Sequence, residues 1–433
     1  MVKTLFDNIY EGYAYSYPHK HSYRRLNNLA LPSLWKDEKK EALFLYVHLP
    51  FCEMRCGFCN LFTIANPQDN MVDAYLQTLA REAKAIKEQI DPQAFGQMAV
   101  GGGTPTFLHW QQLEKLFTII RQLGAKPENI PTSFEVSPAT VTREKLSLLN
   151  EQGVDRISMG VQSFLETEVK ALGRPQQNKD VYAAIDLLQQ YPFATINIDL
   201  IYGAYGQTLS SWLHSVQEVI RLQVEEVFMY PLYVRPLTGI TKINKQQEDN
   251  RFIFYREAKQ LLISEGYQQV SMRLFQKKGI KQKQLTRSYS CQEDGMIGLG
   301  AGARSYTRSV HYSSEYAVAR QNIRSIIQKY IARPHFTEVD YGIELNKEEQ
   351  QRRFVIKSIL HGAGLDLKRY SGLYGHDALQ MYPLLPELIH ADMATLQNDV
   401  LCLTSMGLDY SDAIGPALYS ASIKQLITEF ELQ

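Results

Sequence analysis

Three of the five cysteines fall within eight positions of the sequence CEMRCGFC, where Cys52, Cys56 and Cys59 have the spacing C-x3-C-x2-C. A closed zinc site takes four ligands, a disulfide two and a thiol nucleophile one. Thiolates also hold iron–sulfur clusters, and a four-iron cluster with three thiolates keeps one iron open to a small molecule. The spacing is therefore compatible with two kinds of metal centre. One is an iron–sulfur cluster with an open iron, and the other is a zinc knuckle completed by a residue such as His48.

The elements that must position these cysteines are predicted to be parallel strands and helices. The cysteines follow the β-like run ALFLYVHL, and about six strand–helix alternations extend from residue 43 to about 235. The first helical pattern carries Val72, Leu76, Leu79, Ala83 and Ile86 on one face. The alternation predicts an α/β fold with a barrel or open barrel of parallel strands.

Polar and glycine-containing stretches come directly after several of these predicted strands, namely the cysteines, GGGTP, EVSP, GVQSF and DLIYG. In parallel barrels the loops that follow the strands assemble the active site. We therefore expect these segments to converge on one mouth of the barrel.

The composition is that of an ordinary globular protein: 433 residues, 45% hydrophobic, 21% charged, with a formal net charge of zero. No long basic run favours nucleic acid, and no apolar run approaches the length of a membrane span. Clustered cysteines argue against a secreted disulfide framework. We expect a cytoplasmic protein with a small-molecule substrate, no nucleic-acid partner and no membrane span.

The motifs YVHLPFC and GGGTPT resemble the signature of radical S-adenosylmethionine (SAM) enzymes. Further motifs, EVSPATV, DRISMGVQSF, NIDLIYG and a C-terminal RRF…GLD, are similar to those of the oxygen-independent coproporphyrinogen III oxidase and haem chaperone (HemN/HemW-like) family. The resemblance covers nearly the whole chain. It implies a partial (βα)6 TIM-like barrel and a four-iron four-sulfur cluster on the three cysteines, with SAM chelating the fourth iron.

The family motifs also imply cofactor contacts at individual positions. They place Tyr46 beside the cluster, and Gly102, Gly103 and Thr104 beside the methionyl part of SAM. Glu135 corresponds to the acceptor of hydrogen bonds from the ribose hydroxyls. A second SAM molecule would be contacted by Gln162, Arg174, Asp199 and Ile201.

What the resemblance implies for function is the generation of a 5′-deoxyadenosyl radical that oxidises a tetrapyrrole-like substrate, with an electron donor such as flavodoxin or ferredoxin. The chain has Leu61 where the oxidases carry a further cysteine. A haem-binding chaperone and a methyltransferase that uses a second SAM therefore remain alternatives. Candidate catalytic residues are Tyr17, Arg235, Cys291 and Arg304. The two arginines would bind substrate carboxylates, and Cys291 would be a reactive thiol or an extra ligand. In the N-terminal segment, Tyr15, His19 and Lys20 join Tyr17 as candidate substrate contacts.

Three domains are predicted: an N-terminal arm at residues 1–42 that reaches the active site, a radical SAM barrel and its extension at 43–335, and a small C-terminal domain at 336–433. The last contains the amphipathic pattern KEEQQRRFVIKSIL and the short strand-like run DVLCLT. It is expected to be mainly helical and winged-helix-like.

Overall fold

The computed structural model describes residues 2–14, 16–242, 248–280, 283, 285 and 287–431. The strands are β1 (Arg24–Ala30), β2 (Leu43–Leu49), β3 (Phe51–Cys52), β4 (Ile64–Ala65), β5 (Phe95–Gly102), β6 (Thr132–Val136), β7 (Arg156–Gln162), β8 (Thr195–Tyr202), β9 (Glu226–Pro231), β10 (Tyr267–Gln269), β11 (Leu274–Lys277), β12 (Met296–Leu299), β13 (Arg304–Tyr306), β14 (Val310–Ser313), β15 (Glu338–Glu344), β16 (Leu365–Asp366), β17 (Ala394–Gln397) and β18 (Val400–Leu403).

The helices are α1 (Val2–Leu5), α2 (Leu31–Trp35), α3 (Asp69–Ile90), α4 (Trp110–Leu123), α5 (Arg143–Glu151), α6 (Glu166–Ala171), α7 (Asn178–Leu188), α8 (Leu209–Arg221), α9 (Arg251–Ser264), α10 (Arg320–Ala332), α11 (Lys347–Ile359), α12 (Leu367–Tyr374), α13 (Ala378–Met381), α14 (Leu384–His390), α15 (Ser405–Asp409), α16 (Ser411–Ala417) and α17 (Ala421–Thr428). Within the described ranges, no helix combines the length and apolar character that crossing a bilayer requires.

A thirteen-stranded sheet forms the centre of the fold. Its order is β1-β15-β14-β13-β12-β2-β5-β6-β7-β8-β9-β11-β10, and the strands from β12 to β9 pair in parallel. Antiparallel strands extend the sheet on both sides. Because β1 and β10 form the two ends of this order, the sheet does not close into a complete barrel. The parallel strands and their covering helices confirm the predicted α/β fold class.

Alternation along β2 shows how the sequence separates the interior of the barrel from the helix layer. Leu43, Leu45 and Val47 are completely buried in the main hydrophobic core. The intervening residues Tyr46 and His48 line a cavity inside the barrel. Successive side chains of a strand point to opposite faces, so one strand supplies both the core and the site.

Helix α3 also buries one face, and its buried residues recur with the period of a helix. Its apolar row Val72, Leu76, Leu79, Ala83 and Ile86 is buried in the main core, as predicted from the sequence. Burying a Leu, Val or Ile side chain contributes about 1.5–3 kcal/mol relative to exposure. This face holds α3 against the sheet beside the cysteines.

A second hydrophobic core lies under α11–α17 and the small sheet β16-β18-β17. Leu5, Ala14 and Tyr17 of the N-terminal segment pack into this second core. Strand β15 pairs with β14 and β1 in the large sheet. We therefore propose that the C-terminal unit begins at α11, after the predicted limit at residue 336.

Candidate active site

The three clustered cysteines lie on a loop at the carboxyl end of β2. Cys52 ends β3, and Cys56 and Cys59 follow in a turn closed by a hydrogen bond from Cys59 N to Cys56 O (3.1 Å). All three side chains are partly buried thiols that line one cavity of about 980 Å³ inside the barrel. The three thiols, which are close together in the sequence, therefore all face the interior of the barrel.

Backbone contacts fix this cysteine loop, residues 52–59, against two other loops. Gly57 N donates to Gly173 O (3.2 Å), and Ile240 N donates to Gly57 O (2.9 Å). A Cβ on Gly57 would lie 2.9 Å from Leu172 O, closer than real Cβ atoms approach. Glycine is required here because main chain packs directly on main chain.

Each thiol has a polar neighbour. Thr104 Oγ1 lies 3.7 Å from Cys52 Sγ, Arg174 Nη1 lies 3.4 Å from Cys56 Sγ, and Thr63 Oγ1 lies 3.9 Å from Cys59 Sγ. Burial raises the pKa of Cys52 to about 12 and also raises the pKa of Cys59. Thiolates at these positions therefore need a compensating positive charge, which the irons of a cluster would supply. The three thiols and their polar neighbours therefore fit an iron–sulfur cluster.

His48 does not complete a zinc site in this arrangement. Its Nε2 lies 2.9 Å from Phe62 O and its Nδ1 lies 3.2 Å from Tyr46 OH, so both ring nitrogens are engaged. Among the described residues, no three His, Cys, Asp or Glu side chains are grouped closely enough to hold a single metal ion. The zinc alternative therefore has no support from this geometry.

The GGGTP segment, residues 101–105, begins with the last two residues of β5 and contacts both the cysteine loop and Glu135 of β6. Gly102 N donates to Glu135 Oε2 (3.0 Å), and Gly103 N donates to Leu49 O (2.8 Å). A Cβ on Gly103 would lie 2.4 Å from Phe51 O and 2.9 Å from Cys52 Sγ. Close packing against the cysteine loop therefore requires glycine in this segment. This requirement is separate from the close approach of a ligand to the backbone.

Two carboxyl groups face the cavity, Glu135 from β6 and Asp199 from β8, with β7 between them. Desolvation by the cavity walls and the nearby charge of Asp199 together raise the pKa of Glu135 to about 7, against the hydrogen bond from Gly102 N. Desolvation also raises the pKa of Asp199 to about 6, against the hydrogen bond that Asp199 Oδ1 accepts from Asn197 Nδ2 (2.7 Å). Both groups are suited to accept hydrogen bonds from a polar ligand.

Gln162 reaches the cavity because the end of β7 is irregular. Its φ is +72°, and the register between β7 and β8 shifts between Gly160 and Gln162. Such a bulge redirects a side chain at the end of a strand. A Cβ on Gly160 would lie 2.8 Å from Gln162 Nε2, so the glycine leaves room for the amide.

Arg174 joins this strand end to the cysteine loop. Besides its contact with Cys56 Sγ, Nη2 donates to Gly160 O (2.7 Å) and Nε donates to Gln176 Oε1 (2.8 Å). The guanidinium also lowers the pKa of Asp199. The same cavity is lined by the remaining predicted cofactor residues, Tyr46, Thr104 and Ile201.

A group of basic residues also lines the cavity. It contains His19, Lys20, His21, Arg235 and Arg304, which we call the basic wall. Tyr316, which lies under Lys20, donates to Asn60 O (2.6 Å), so this wall adjoins the cysteine loop. Lys20 Nζ lies 3.5 Å from the centre of the Tyr316 ring, and Arg235 Cζ lies 4.8 Å from that of Tyr233. Burial, and then Arg304 and Arg235, lower the pKa of Lys20 well below its ordinary value. An anionic ligand would relieve this concentration of positive charge.

Tyr17 and Cys291 do not lie in this cavity, contrary to their selection with Arg235 and Arg304. Both line a smaller pocket that shares Arg304 with the main cavity. The hydroxyl of Tyr17 donates to the carboxylate of Glu349 in α11. Tyr15 lies outside the described residues. His21 and Tyr316 of the main cavity were missed, since the ring contact that joins Lys20 to Tyr316 spans distant parts of the sequence.

Comparison with known proteins agrees with this geometry. Residues 46–219 match the model of the radical SAM superfamily. The chain is 29% identical over 374 residues to heme chaperone HemW of Bacillus subtilis, covering 84% of this chain and 95% of the relative. It is 28% identical over 344 residues to an oxygen-independent coproporphyrinogen III oxidase of Synechocystis, covering 74% and 71%.

Among solved structures, coproporphyrinogen III oxidase HemN from Escherichia coli has the same fold, with a TM-score of 0.76 and 23% identity over 90% of this chain and 92% of that chain. The fold and the matched region define a radical SAM protein. Its cofactors are a four-iron four-sulfur cluster and SAM. Within the superfamily, the chain is similar to proteins named as heme chaperone HemW and as oxygen-independent coproporphyrinogen III oxidase.

Proposed function

We propose that this protein is a radical SAM enzyme that oxidises a tetrapyrrole-like substrate carrying carboxylate groups. The observation that carries the proposal is that one cavity is lined by two chemically different sets of residues. The cysteine loop, the GGGTP segment and the strand-end polar groups form one set, and the basic wall forms the other. Cofactors and an anionic substrate would therefore occupy the same interior.

Cys52, Cys56 and Cys59 would hold the cluster, and the polar groups beside them would hold SAM. Gly102, Gly103 and Thr104 would contact the methionyl part of SAM. Tyr46 would lie near the cluster, and Glu135 would accept hydrogen bonds from the ribose hydroxyls. When bound and reduced, these cofactors supply a carbon radical that can remove hydrogen from an unactivated carbon. Desolvation by the cavity walls raises the pKa of both Glu135 and Asp199, which supports a site shielded from bulk water.

The basic wall would bind the carboxylates of the substrate. Arginine presents a planar fork that matches a carboxylate, and lysine adds a compact charge. The cavity volume of about 980 Å³ lies at the upper end of the range for ligand sites, about 300–1,000 Å³. Relatives named as coproporphyrinogen III oxidases support a substrate of this chemical class.

A haem chaperone is the second candidate, and one residue favours it. Leu61 replaces the further cysteine of the oxidases, and its side chain lines the cavity while being 50% exposed. An exposed apolar side chain beside the cysteine loop offers contact area to a flat macrocycle. The match to HemW over 95% of that relative agrees with this candidate.

The decisive experiment starts from anaerobically reconstituted protein reduced by dithionite or flavodoxin. Incubation with SAM and coproporphyrinogen III should give substrate-dependent 5′-deoxyadenosine and a vinyl product. Tight haem binding without any turnover would contradict oxidation and identify the chaperone. A methylated product would identify the methyltransferase, with Gln162, Arg174, Asp199 and Ile201 as contacts of a second SAM.

Substitution of single cysteines tests the cluster. Cys56→Ser should lose most of the iron and all 5′-deoxyadenosine formation, because a thiolate ligand is removed. Cys402→Ser is the matched control, since Cys402 lies in β18 of the small sheet and should leave the iron content unchanged. Equal iron content in the two variants would contradict the assignment of the cysteine loop.

A further inference from the structure

A second pocket of about 200 Å³ lies beside the main cavity, at the amino ends of β2 and β12. One water molecule occupies about 30 Å³ in the liquid, so this pocket has room for more than a single water. Phe44, Met296 and Arg304 line both this pocket and the main cavity. We call it the floor pocket, because it adjoins the barrel interior at the strand ends remote from the cysteine loop.

Three parts of the chain build the floor pocket. Ser16 comes from the N-terminal segment, Arg304 and Tyr306 come from β13, and Arg353 and Lys357 come from α11. Arg304 Nη1 donates to Ser16 Oγ (3.0 Å), and Arg353 Nη1 donates to Gln292 O (3.1 Å). The pocket therefore depends on the packing of the C-terminal unit against the barrel.

Its charge is strongly one-sided. Arg304, Arg353 and Lys357 line it, and the lining residues in the described part of the chain include no carboxylate. The guanidinium carbons of Arg304 and Arg353 each lie 5.9 Å from the centre of the Tyr306 ring. Arg353 is only 8% exposed, so this charge is held in a largely dehydrated setting.

The nearby acids are engaged elsewhere. Glu349, one turn before Arg353, accepts hydrogen bonds from Tyr17 and from Ser420 Oγ (2.7 Å). Asp294 accepts from Ser290 N (2.8 Å) and from Arg287 Nη2 (3.3 Å). Burial and then the two arginines lower the pKa of Lys357, while Cys291 raises it. The surroundings of Lys357 are thus dominated by positive charge, which an anion would balance.

We propose that the floor pocket binds one carboxylate arm of the substrate, with Lys357 and Arg353 as its hydrogen-bond donors. The ring of the substrate would lie in the main cavity, and the arm would extend past Phe44 and Met296. This inference rests on the proposed function for the identity of the substrate, but the recognition of a carboxylate follows from the pocket. Charge-assisted hydrogen bonds of this kind are about twice as strong as neutral ones.

The first test compares coproporphyrin III, which carries four carboxylates, with its tetramethyl ester, using fluorescence titration of the full-length protein. Lys357→Met keeps the aliphatic stem and removes the charge. It should weaken binding of the tetra-acid by about ten- to hundredfold and leave the ester unchanged. Lys357→Arg should restore most of the affinity. Lys277→Met is the control and should bind like the wild type, because Lys277 lies in β11 outside both pockets and donates to Gln223 O.

Equal binding of the tetra-acid by wild type and Lys357→Met would overturn the proposal. If the wild type binds neither porphyrin, the proposed function fails, and propionate tests the pocket alone. Propionate, but not propionamide, should raise the melting temperature of the wild type and of Lys277→Met more than that of Lys357→Met. An equal shift in Lys357→Met would overturn the pocket assignment whatever the substrate is.

Discussion

Gln162 shows how a single backbone conformation shapes the candidate site. A φ of +72° is uncommon for a residue with a side chain and costs about 1–3 kcal/mol unless the surroundings hold it. Here the bulge between β7 and β8 and the gap at Gly160 allow the amide to reach the cavity. The strain therefore supports a ligand contact at this position.

Two substitutions separate the backbone of Gln162 from its side chain. Gln162→Gly and Gln162→Ala should weaken SAM binding equally, because both remove the amide. Gln162→Gly should be more stable than Gln162→Ala by about 1 kcal/mol, because glycine adopts positive φ without strain. Urea unfolding and SAM titration of both variants check this. Equal stability would show that the backbone relaxes at this position.

Glu135 should make the free energy of unfolding depend on pH. Its pKa rises from an ordinary 4.5 to about 7 in the folded protein, chiefly through desolvation by the cavity walls. The folded state therefore binds more protons than the unfolded state between these values, and its stability falls as pH rises from about 4.5 to 7.

Glu135→Gln should remove this part of the pH dependence, measured by urea unfolding at several pH values. Glu114→Gln, an exposed change on α4, is the matched control and should follow the wild type. If Glu135→Gln also follows the wild type, the carboxyl is not desolvated in solution.

Some site residues could be predicted from the sequence and others could not. Cys52, Cys56 and Cys59 are recognisable because metal ligands that are close together in the chain form a motif with characteristic spacing. The positive φ of Gln162 leaves no such pattern. The sequence predicts Tyr17 as a candidate site residue, but its hydroxyl donates to Glu349 in the C-terminal unit. That contact depends on packing between distant segments.

At the scale of elements, the GGGTP segment and the cysteine loop behave as one packed pair. Gly103→Ala should displace the cysteine loop, since its Cβ would meet Phe51 O and Cys52 Sγ. We expect a loss of about 1–3 kcal/mol of stability and a lower iron content after reconstitution. Iron analysis and thermal unfolding measure both effects.

Gly372→Ala is the matched control for this change. Gly372 lies in α12, has no heavy atom within 4 Å of the added Cβ and has no positive φ. The substitution should stabilise the protein by about 0.5–1 kcal/mol. A Gly103→Ala variant with normal iron content would show that the two loops move apart without consequence.

Strands and helices were the part of the fold that the sequence predicted best. The run RISMGVQ matches β7, and the apolar row of α3 is buried as its spacing indicated. Local periodicity records which face an element buries. The antiparallel extension through β13, β14, β15 and β1 was missed, because β1 pairs with a strand far along the chain.

At the scale of the whole molecule, a buried ion pair connects the barrel to the C-terminal unit. Arg273, just before β11, donates through Nη1 to Asp412 Oδ1 (2.7 Å), and Nη2 donates to the other oxygen. The two side chains are 4% and 1% exposed. Tyr13 of the N-terminal segment lies over the guanidinium, with its ring centre 3.7 Å from Cζ. Three segments therefore meet at one pair.

Asp412→Asn should lower the free energy of unfolding by about 3–5 kcal/mol, because Arg273 would keep a buried charge without a full partner. Asp186→Asn, an exposed change on α7, should have little effect. Urea unfolding of the two variants makes the comparison. A small loss in Asp412→Asn would show that water reaches the pair in solution.

The contacts of Gly57 bear on how an iron–sulfur cluster would be assembled. The bonds Gly57 N to Gly173 O and Ile240 N to Gly57 O join main-chain groups of the chain itself, so neither needs a metal as a partner. A loop already ordered has little conformational entropy left to lose when its thiols gather metal. A carrier protein that delivers a finished cluster would thus meet a prearranged acceptor, and transfer would require no folding step in the loop.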